Sequence, residues 1–323
     1  MLAGAARLYP PQRNVTPMPH PKCATIPPLT RNSHHRTMAA EESKGDACCP
    51  AGSHPELILD ESRQESLAGK VVTLSSGLVT YQVPAPDADC KKAIVLIYDV
   101  HGFSGGRIKG VCDAIAAQGF HVVMPDFYGE SAGINDKGGF SSPEGAWCLL
   151  WRLHRASVLT CSCFCSGVAW LKTYDWTRLE KNLKEVQTEV LEPKGITSVG
   201  AVGFCWGAYV VFKMSAAGMI RAGASCHPSL QIGPYLFEDP IADQAAAAKC
   251  PMLLCPAKND PKEVQEGGVV QTSLTERDIA CKVRAFPDMQ HGFVPRGDAT
   301  VPEIKRDVQL AVEEVGSFLS AHL

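Results

Sequence analysis

A mostly parallel, doubly wound sheet flanked by helices on both faces is the α/β fold class that this sequence predicts. Three observations lead there. Short apolar runs rich in β-branched residues recur at Ala93 to Asp99, Phe120 to Asp126, Ser198 to Val202, Met252 to Pro256 and Cys281 to Phe286. Each is the length of a buried strand and too short for a core helix. Between and after them lie segments of helical character, and strands that alternate with helices call for parallel pairing through crossovers. The third observation is the turn Gly203-Phe204-Cys205-Trp206-Gly207, which joins an apolar strand to a breaker-free helical run beginning at Ala208. With 323 residues the chain is long enough for one such domain, since single α/β units of roughly 250 residues are common.

Taken in order, the chain begins with a leader unlike the rest. Met1 to Ala40 holds no acidic residue, carries Arg7, Arg13, Lys22, Arg31 and Arg36, and is dense in proline. It reads as an organelle-targeting peptide, as a disordered tail, or as sequence upstream of a true start at Met38. Residues 1–66 are together expected to be a disordered leader. Within it Cys48-Cys49 reads as a pair of exposed tail thiols, with His54 near enough to leave weak metal binding open.

The domain proper is expected over 67–323. Val71 to Leu74 and Leu78 to Val83 flank Ser75-Ser76-Gly77 as an edge hairpin. The first buried parallel strand, Ala93 to Asp99, runs into Val100-His101-Gly102. Gly106 to Ala117 reads as a helix and Phe120 to Asp126 as the next strand. Cys148 to Val168 then breaks the pattern. It has no acidic residue, a Cys161-x-Cys163-x-Cys165 cluster and no stable period. It reads as an insertion, either a retained intron in the gene model or an apolar lid. Thr177 to Leu191 places Leu179, Leu183, Val186 and Val190 at helical spacing, and Pro302 to Leu319 closes the chain with a longer amphipathic pattern.

The chemistry gathers at the turn. A nucleophile between two glycines at a strand-to-helix change is lifted clear of the sheet, because the glycines leave room where a Cβ would collide. The raised residue is Cys205, and its place at a helix N-terminus favours a thiolate. Functional residues of a doubly wound sheet collect at the carboxyl ends of strands. Asp260 lies just past the strand ending at Pro256, and His291 just past the one ending at Phe286. The chain order nucleophile, acid, histidine is that of α/β-hydrolases, in which the N–H groups of Trp206 and Val100 would form the oxyanion hole. His227 also falls near this end of the sheet. His291 is preferred as base.

At Gly203-Phe204-Cys205-Trp206-Gly207, Pro125-Asp126-Phe127-Tyr128-Gly129, the Asp260 loop and His291-Gly292-Phe293 the chain resembles the dienelactone hydrolases (carboxymethylenebutenolidases) of the α/β-hydrolase superfamily. The resemblance runs from about Leu67 to the C-terminus, interrupted by Cys148 to Val168. It implies a cysteine-based hydrolase of lactones or esters working through a thioester, with no cofactor and no metal. By the same resemblance Asp99 falls where the family often has a glutamate that contacts the resting thiol, and Arg296 matches an arginine that would bind a substrate carboxylate. A second such arginine has no counterpart between Gly129 and Trp147, which holds only Lys137. A carboxylesterase or thioesterase on the same triad, or a binding module that has lost turnover, are the alternatives.

Composition bounds the partners. The formal net charge of −3 gives no reason to expect nucleic acid, and no uncharged apolar run reaches the length of a membrane span. The 14 cysteines are scattered, as in a reducing compartment. A cytoplasmic enzyme is expected, or an organellar one if the leader targets it. A small ester or lactone is the expected partner, and a monomer or weak homodimer the expected state.

Overall fold

In the computed structural model, residues 49–57, 67–129 and 170–323 are described. The leader up to residue 48 and the expected insertion at 148–168 lie outside them. The described residues form an eight-stranded sheet in the order β1-β2-β4-β3-β5-β6-β7-β8. Its first two strands, β1 (Lys70–Thr73) and β2 (Val79–Val83), make the expected hairpin, and β2 continues antiparallel onto β4 (His121–Pro125). From β4 onward every pairing is parallel, through β3 (Lys92–Ile97), β5 (Ser198–Phe204), β6 (Ala222–Cys226), β7 (Met252–Cys255) and β8 (Cys281–Val283). The chain reverses its direction of winding between β3 and β5, and ligand sites of open α/β sheets form at such a crevice.

Burial follows from position in this order. The central β5 pairs along its length with β3, Lys92 opposite Ser198 and Ile97 opposite Gly203. Covered on both faces, it reads as a continuous apolar run instead of alternating. The helix that leaves it, numbered after α1 (Ile108–Ala116) and α2 (Trp176–Val186) as α3 (Trp206–Ala216), is buried nearly all round. Its Trp206, Tyr209, Val210, Val211 and Phe212 belong to the same core as the strands beneath.

Four short helices follow: α4 (Ile232–Leu236), α5 (Ile241–Ala247), α6 (Val269–Thr275) and α7 (Phe293–Arg296). They are too short to leave a periodic signal in the sequence. The long α8 (Pro302–His322) closes the domain and buries Val312, Val315, Phe318 and Leu319. One expected helix is shorter than its apolar spacing suggests. After the Asp175 side chain caps α2 through the Arg178 N–H at 3.0 Å, regular α geometry stops at Val186. A wider turn over Gln187–Leu191 and a tight one over Glu192–Lys194 complete the segment. Pro193 has no N–H to return to Glu189, so the ladder cannot continue.

The close contact of α3 with β3 sets the height of the turn between β5 and α3. A Cβ on Gly207 would lie 2.4 Å from the Ile97 carbonyl oxygen, and one on Gly203 would lie 2.3 Å from that of Gly207. Both contacts are with backbone, which cannot rotate away. Gly207→Ala is therefore expected to lower stability by about 1–3 kcal/mol as the helix is pushed off the sheet. Urea denaturation checks this, and a variant as stable as the parent would contradict it.

Candidate active site

Cys205 occupies the turn with φ 54° and ψ −116°, a conformation that costs a non-glycine residue about 1–3 kcal/mol and persists only where neighbours enforce it. Three main-chain hydrogen bonds do so. The Cys205 N–H donates to the Cys226 carbonyl (3.2 Å), and the Cys205 carbonyl accepts from Ala208 N–H (3.1 Å) and Ser229 N–H (3.0 Å). The turn is thus tied both to its own helix and to the end of β6. The side chain is buried, with Sγ 3.4 Å from Ser229 Oγ. Trp206, the first residue of α3, belongs to the helix turn whose N–H groups have no intrahelical acceptor. Val100 sits buried in the loop after β3, where the Gly102 N–H closes a turn on the Asp99 carbonyl at 3.0 Å.

The loops after β7 and β8 bring the acid and the imidazole together. His291 Nδ1 and Asp260 Oδ1 are 2.6 Å apart, with both side chains fully buried. The other carboxylate oxygen of Asp260 accepts from the Ala257 N–H at 2.6 Å, so neither oxygen is left over. Asn259 Oδ1 accepts from the His291 N–H (2.7 Å), and the Lys258 N–H donates to the Met289 carbonyl (2.9 Å). These bonds stitch one loop to the other and fix the imidazole plane. His291 Nε2 is buried, and one ring nitrogen of His291 and the Cys205 sulfur lie within 4.8 Å of each other. Burial alone would depress this imidazole. The negative charges of an ionised Cys205 and of Asp260 outweigh it and push its pKa up to about 10.

His227 stands beside the pair, with ring centroids 4.8 Å apart in an edge-on arrangement. Burial, then the positive charges of His291 and Arg296, hold it well below its ordinary value. Among the described residues it has no carboxylate partner, and it packs as a neutral ring against His291 and Phe293.

Asp99 and Arg296 meet each other. Arg296 Nε donates to Asp99 Oδ2 at 2.9 Å, each side chain only 2 % exposed, and Nη1 donates to the His54 carbonyl. Asp99 Oδ1 also accepts from the His101 N–H at 2.9 Å. The guanidinium expected to await a substrate carboxylate therefore already holds one from the protein. Asp99 is thus engaged by Arg296 on one oxygen and by the His101 N–H on the other.

The largest departure from expectation lies in the leader. Residues 49–57 pack on the domain as a strap across the Cys205–His291 site. Ala51 contributes its carbonyl to Asn259 Nδ2 (3.0 Å), and the His54 N–H donates to the His291 carbonyl (2.8 Å). Cys49, expected as an exposed thiol, is half-buried with its sulfur 3.9 Å from that of Cys205. Burial, and then Arg296, Arg107 and His291, lower the His54 imidazole. Pro50, Gly52 and Pro55 within this stretch give it the composition of a tail, and contacts made across the whole chain leave no local period.

With this geometry in hand, comparison with known proteins is informative. The model of the dienelactone hydrolase family matches residues 79–323. An uncharacterized AIM2 family protein of Schizosaccharomyces pombe is 26% identical over 279 residues, covering 85% of this chain and 98% of that protein. A carboxymethylenebutenolidase homolog of Mus musculus is 26% identical over 212 residues, 64% of this chain and 73% of the homolog. Among solved structures, a dienelactone hydrolase-like promiscuous phosphotriesterase from metagenomic libraries superposes with a TM-score of 0.52 at 16% identity, covering 79% of this chain and 98% of that one. The last likeness is one of fold.

Two outcomes follow from the site's electrostatics. Asp260→Asn removes a charge that raises His291 while leaving the burial that lowers it, so the imidazolium is expected to lose its proton well below pH 10. Histidine NMR titration of both proteins measures this, and an unchanged midpoint would contradict it. Asp99→Ala leaves Arg296 as a buried charge without its carboxylate, a loss expected to cost about 3–5 kcal/mol in denaturant unfolding.

Proposed function

The chain belongs to the dienelactone hydrolase family, and we propose that it hydrolyses small esters or lactones with Cys205 as nucleophile, His291 as base and acid, and Asp260 as the group that orients the imidazole. The observation that carries this reading is the 2.6 Å Asp260–His291 contact behind a cysteine held at positive φ on the strand-to-helix turn.

In this mechanism the Cys205 proton passes to His291 Nε2, and the imidazolium is stabilised by the Asp260 carboxylate on its far side. The sulfur attacks the ester carbonyl. The resulting oxyanion points at the N–H groups of Trp206 and Val100, each such donor being worth about 3 kcal/mol in comparable sites. Collapse expels the alcohol or enol, which takes its proton from His291, and leaves the acyl group on Cys205 as a thioester. Water, deprotonated by the now neutral His291, attacks that thioester and releases the acid. A thiolate leaves the tetrahedral intermediate more readily than an alkoxide does, so forward reaction is favoured only when the substrate's own leaving group is good. Enol-lactones and activated esters meet that condition, and amides do not.

Arg296 is already paired with Asp99, so a substrate carboxylate would have to share the guanidinium with that aspartate, like charge beside like charge. This favours neutral esters and lactones over acids of the dienelactone type.

The test is acyl trapping. Mixed with an activated enol ester and quenched in acid, the protein is expected to gain the acyl mass on the peptide containing Cys205. His291→Ala is expected to lower kcat by roughly 10⁴–10⁶-fold, as removing a base that acts in concert with its nucleophile does elsewhere. Turnover that survives Cys205→Ala would overturn the assignment.

A further inference from the structure

Two sulfurs and one imidazole converge where the hydrolytic reading needs only one sulfur. One ligand atom from each of Cys49, Cys205 and His291 lies within 4.8 Å of the other two. We propose that the strap residue Cys49 completes a zinc-binding site with Cys205 and His291, and that zinc held there closes the hydrolytic centre.

The donor set suits the ion. Zn²⁺ takes thiolate and imidazole ligands in a tetrahedral shell with Zn–S bonds of about 2.3 Å, which sets the two sulfurs roughly 3.8 Å apart. The Cys49 and Cys205 sulfurs are 3.9 Å apart. A disulfide between them would need about 2.05 Å. Closing that gap would drag Cys49 inward while Ala51 and His54 remain bonded to Asn259, His291 and Arg296. The separation therefore matches a bridging ion better than a covalent bond.

The imidazole is prepared in the same sense. With Nδ1 committed to Asp260 at 2.6 Å, Nε2 is the nitrogen left for a ligand, and it is fully buried, with no hydrogen-bond partner other than the Cys205 sulfur among the described residues. A carboxylate that accepts from the far N–H of a ligating histidine fixes its tautomer and ring plane. Asp260 already stands in that position. Two thiolates and one neutral imidazole balance the charge of Zn²⁺, which a dry site requires. Whichever of Cys205 and His291 carries the proton they share, binding releases that proton and the one on the Cys49 thiol. Three protein ligands leave the fourth position for water.

Zinc so placed engages the nucleophile and the base together, so hydrolysis stops until the ion is withdrawn. The proposal depends on the hydrolytic assignment only for that effect on activity. The site itself is tested by binding.

The experiment uses the full chain in a background where Cys48 and the Cys161, Cys163 and Cys165 cluster are changed to serine, with zinc alone as the probe. Titration calorimetry is expected to find one Zn²⁺ per chain. Iodoacetamide labelling read by peptide mass is expected to show Cys49 and Cys205 protected together by zinc and released together by a chelator. Cys49→Ala, and Cys49→Ser should the first variant fold poorly, is expected to weaken binding at least about 100-fold, more than the loss of an outer-shell partner does. Co²⁺ in place of zinc is expected to give tetrahedral d–d and thiolate charge-transfer bands in the parent and to lose them in the Cys49 variants. Equal affinity in parent and Cys49→Ala, or zinc that leaves labelling of both thiols unchanged, would overturn the proposal. So would thiols lost together in a form restored by reductant and unaffected by chelator, which would identify a disulfide instead. Ester hydrolysis, each protein normalised to its own metal-free rate, separates the two readings. Zinc binding without any turnover sinks the hydrolase and spares the metal site, whereas turnover insensitive to zinc and without binding does the reverse.

Discussion

The site depends on one constraint, the approach of helix α3 to strand β3 over Gly207. That contact is short enough to exclude a single methyl group, and it leaves the chain between β5 and α3 no relaxed path. The resulting turn throws Cys205 into a positive-φ conformation and directs its sulfur toward the carboxyl end of the sheet. The energy of that strained residue is offset by hydrogen bonds to Cys226 and Ser229, which come from the next strand and its loop. Fold stability and site geometry are thus one quantity here, because loosening the helix relaxes the turn.

Electrostatics adds the second layer. Asp260, His291, Asp99 and Arg296 are all buried, and each charge has a counterpart of opposite sign at hydrogen-bond distance. In a dry environment an unpaired ion is costly, so the two carboxylates sort between the two cations according to reach. Asp260 takes the imidazole, and Asp99 takes the guanidinium. The sorting leaves His227 with no carboxylate, and the same burial that His291 overcomes leaves His227 neutral. Two histidines with ring centroids 4.8 Å apart are therefore driven to opposite protonation behaviour because the negative charges of Cys205 and Asp260 raise His291 and do not act on His227. This is why only one of them suits a proton-transfer role.

Much of this was legible in the sequence because it is local. Strand runs such as Ala93 to Asp99 and Ser198 to Val202 carry their burial in composition, and the Gly-x-Cys-x-Gly turn carries its geometry in two glycines. Asp260 and His291 were placed by the rule that functional groups follow strand ends, although the loops that join them are stitched by Asn259, Lys258 and Met289, which nothing in the sequence singles out. Arg296 was located at the right end of the sheet with a different partner in view. A guanidinium's choice between a substrate and an aspartate 197 residues away is a tertiary matter that spacing does not encode. The strap failed for the same reason. Cys49 lies 156 residues from Cys205, within a stretch whose composition suggests a tail.

That strap changes what a cysteine at the turn implies. A serine there would offer an alkoxide, a hard and poorly matched donor for a thiophilic ion, and a neighbouring thiol would be of little consequence. With sulfur at position 205 the same geometry that favours a thiolate for attack also favours a soft metal ligand. The Asp260–His291 pair is equally double in use, since orienting Nε2 toward a sulfur orients it toward any ion the sulfur holds. If Cys205 is the nucleophile proposed above, a competing chemistry is available at the same atom, and a second thiol 3.9 Å away would make that competition specific. On the proposed reading, docking of this segment sets the balance between an open Cys205 and one held by an ion, through hydrogen bonds to Asn259 and His291.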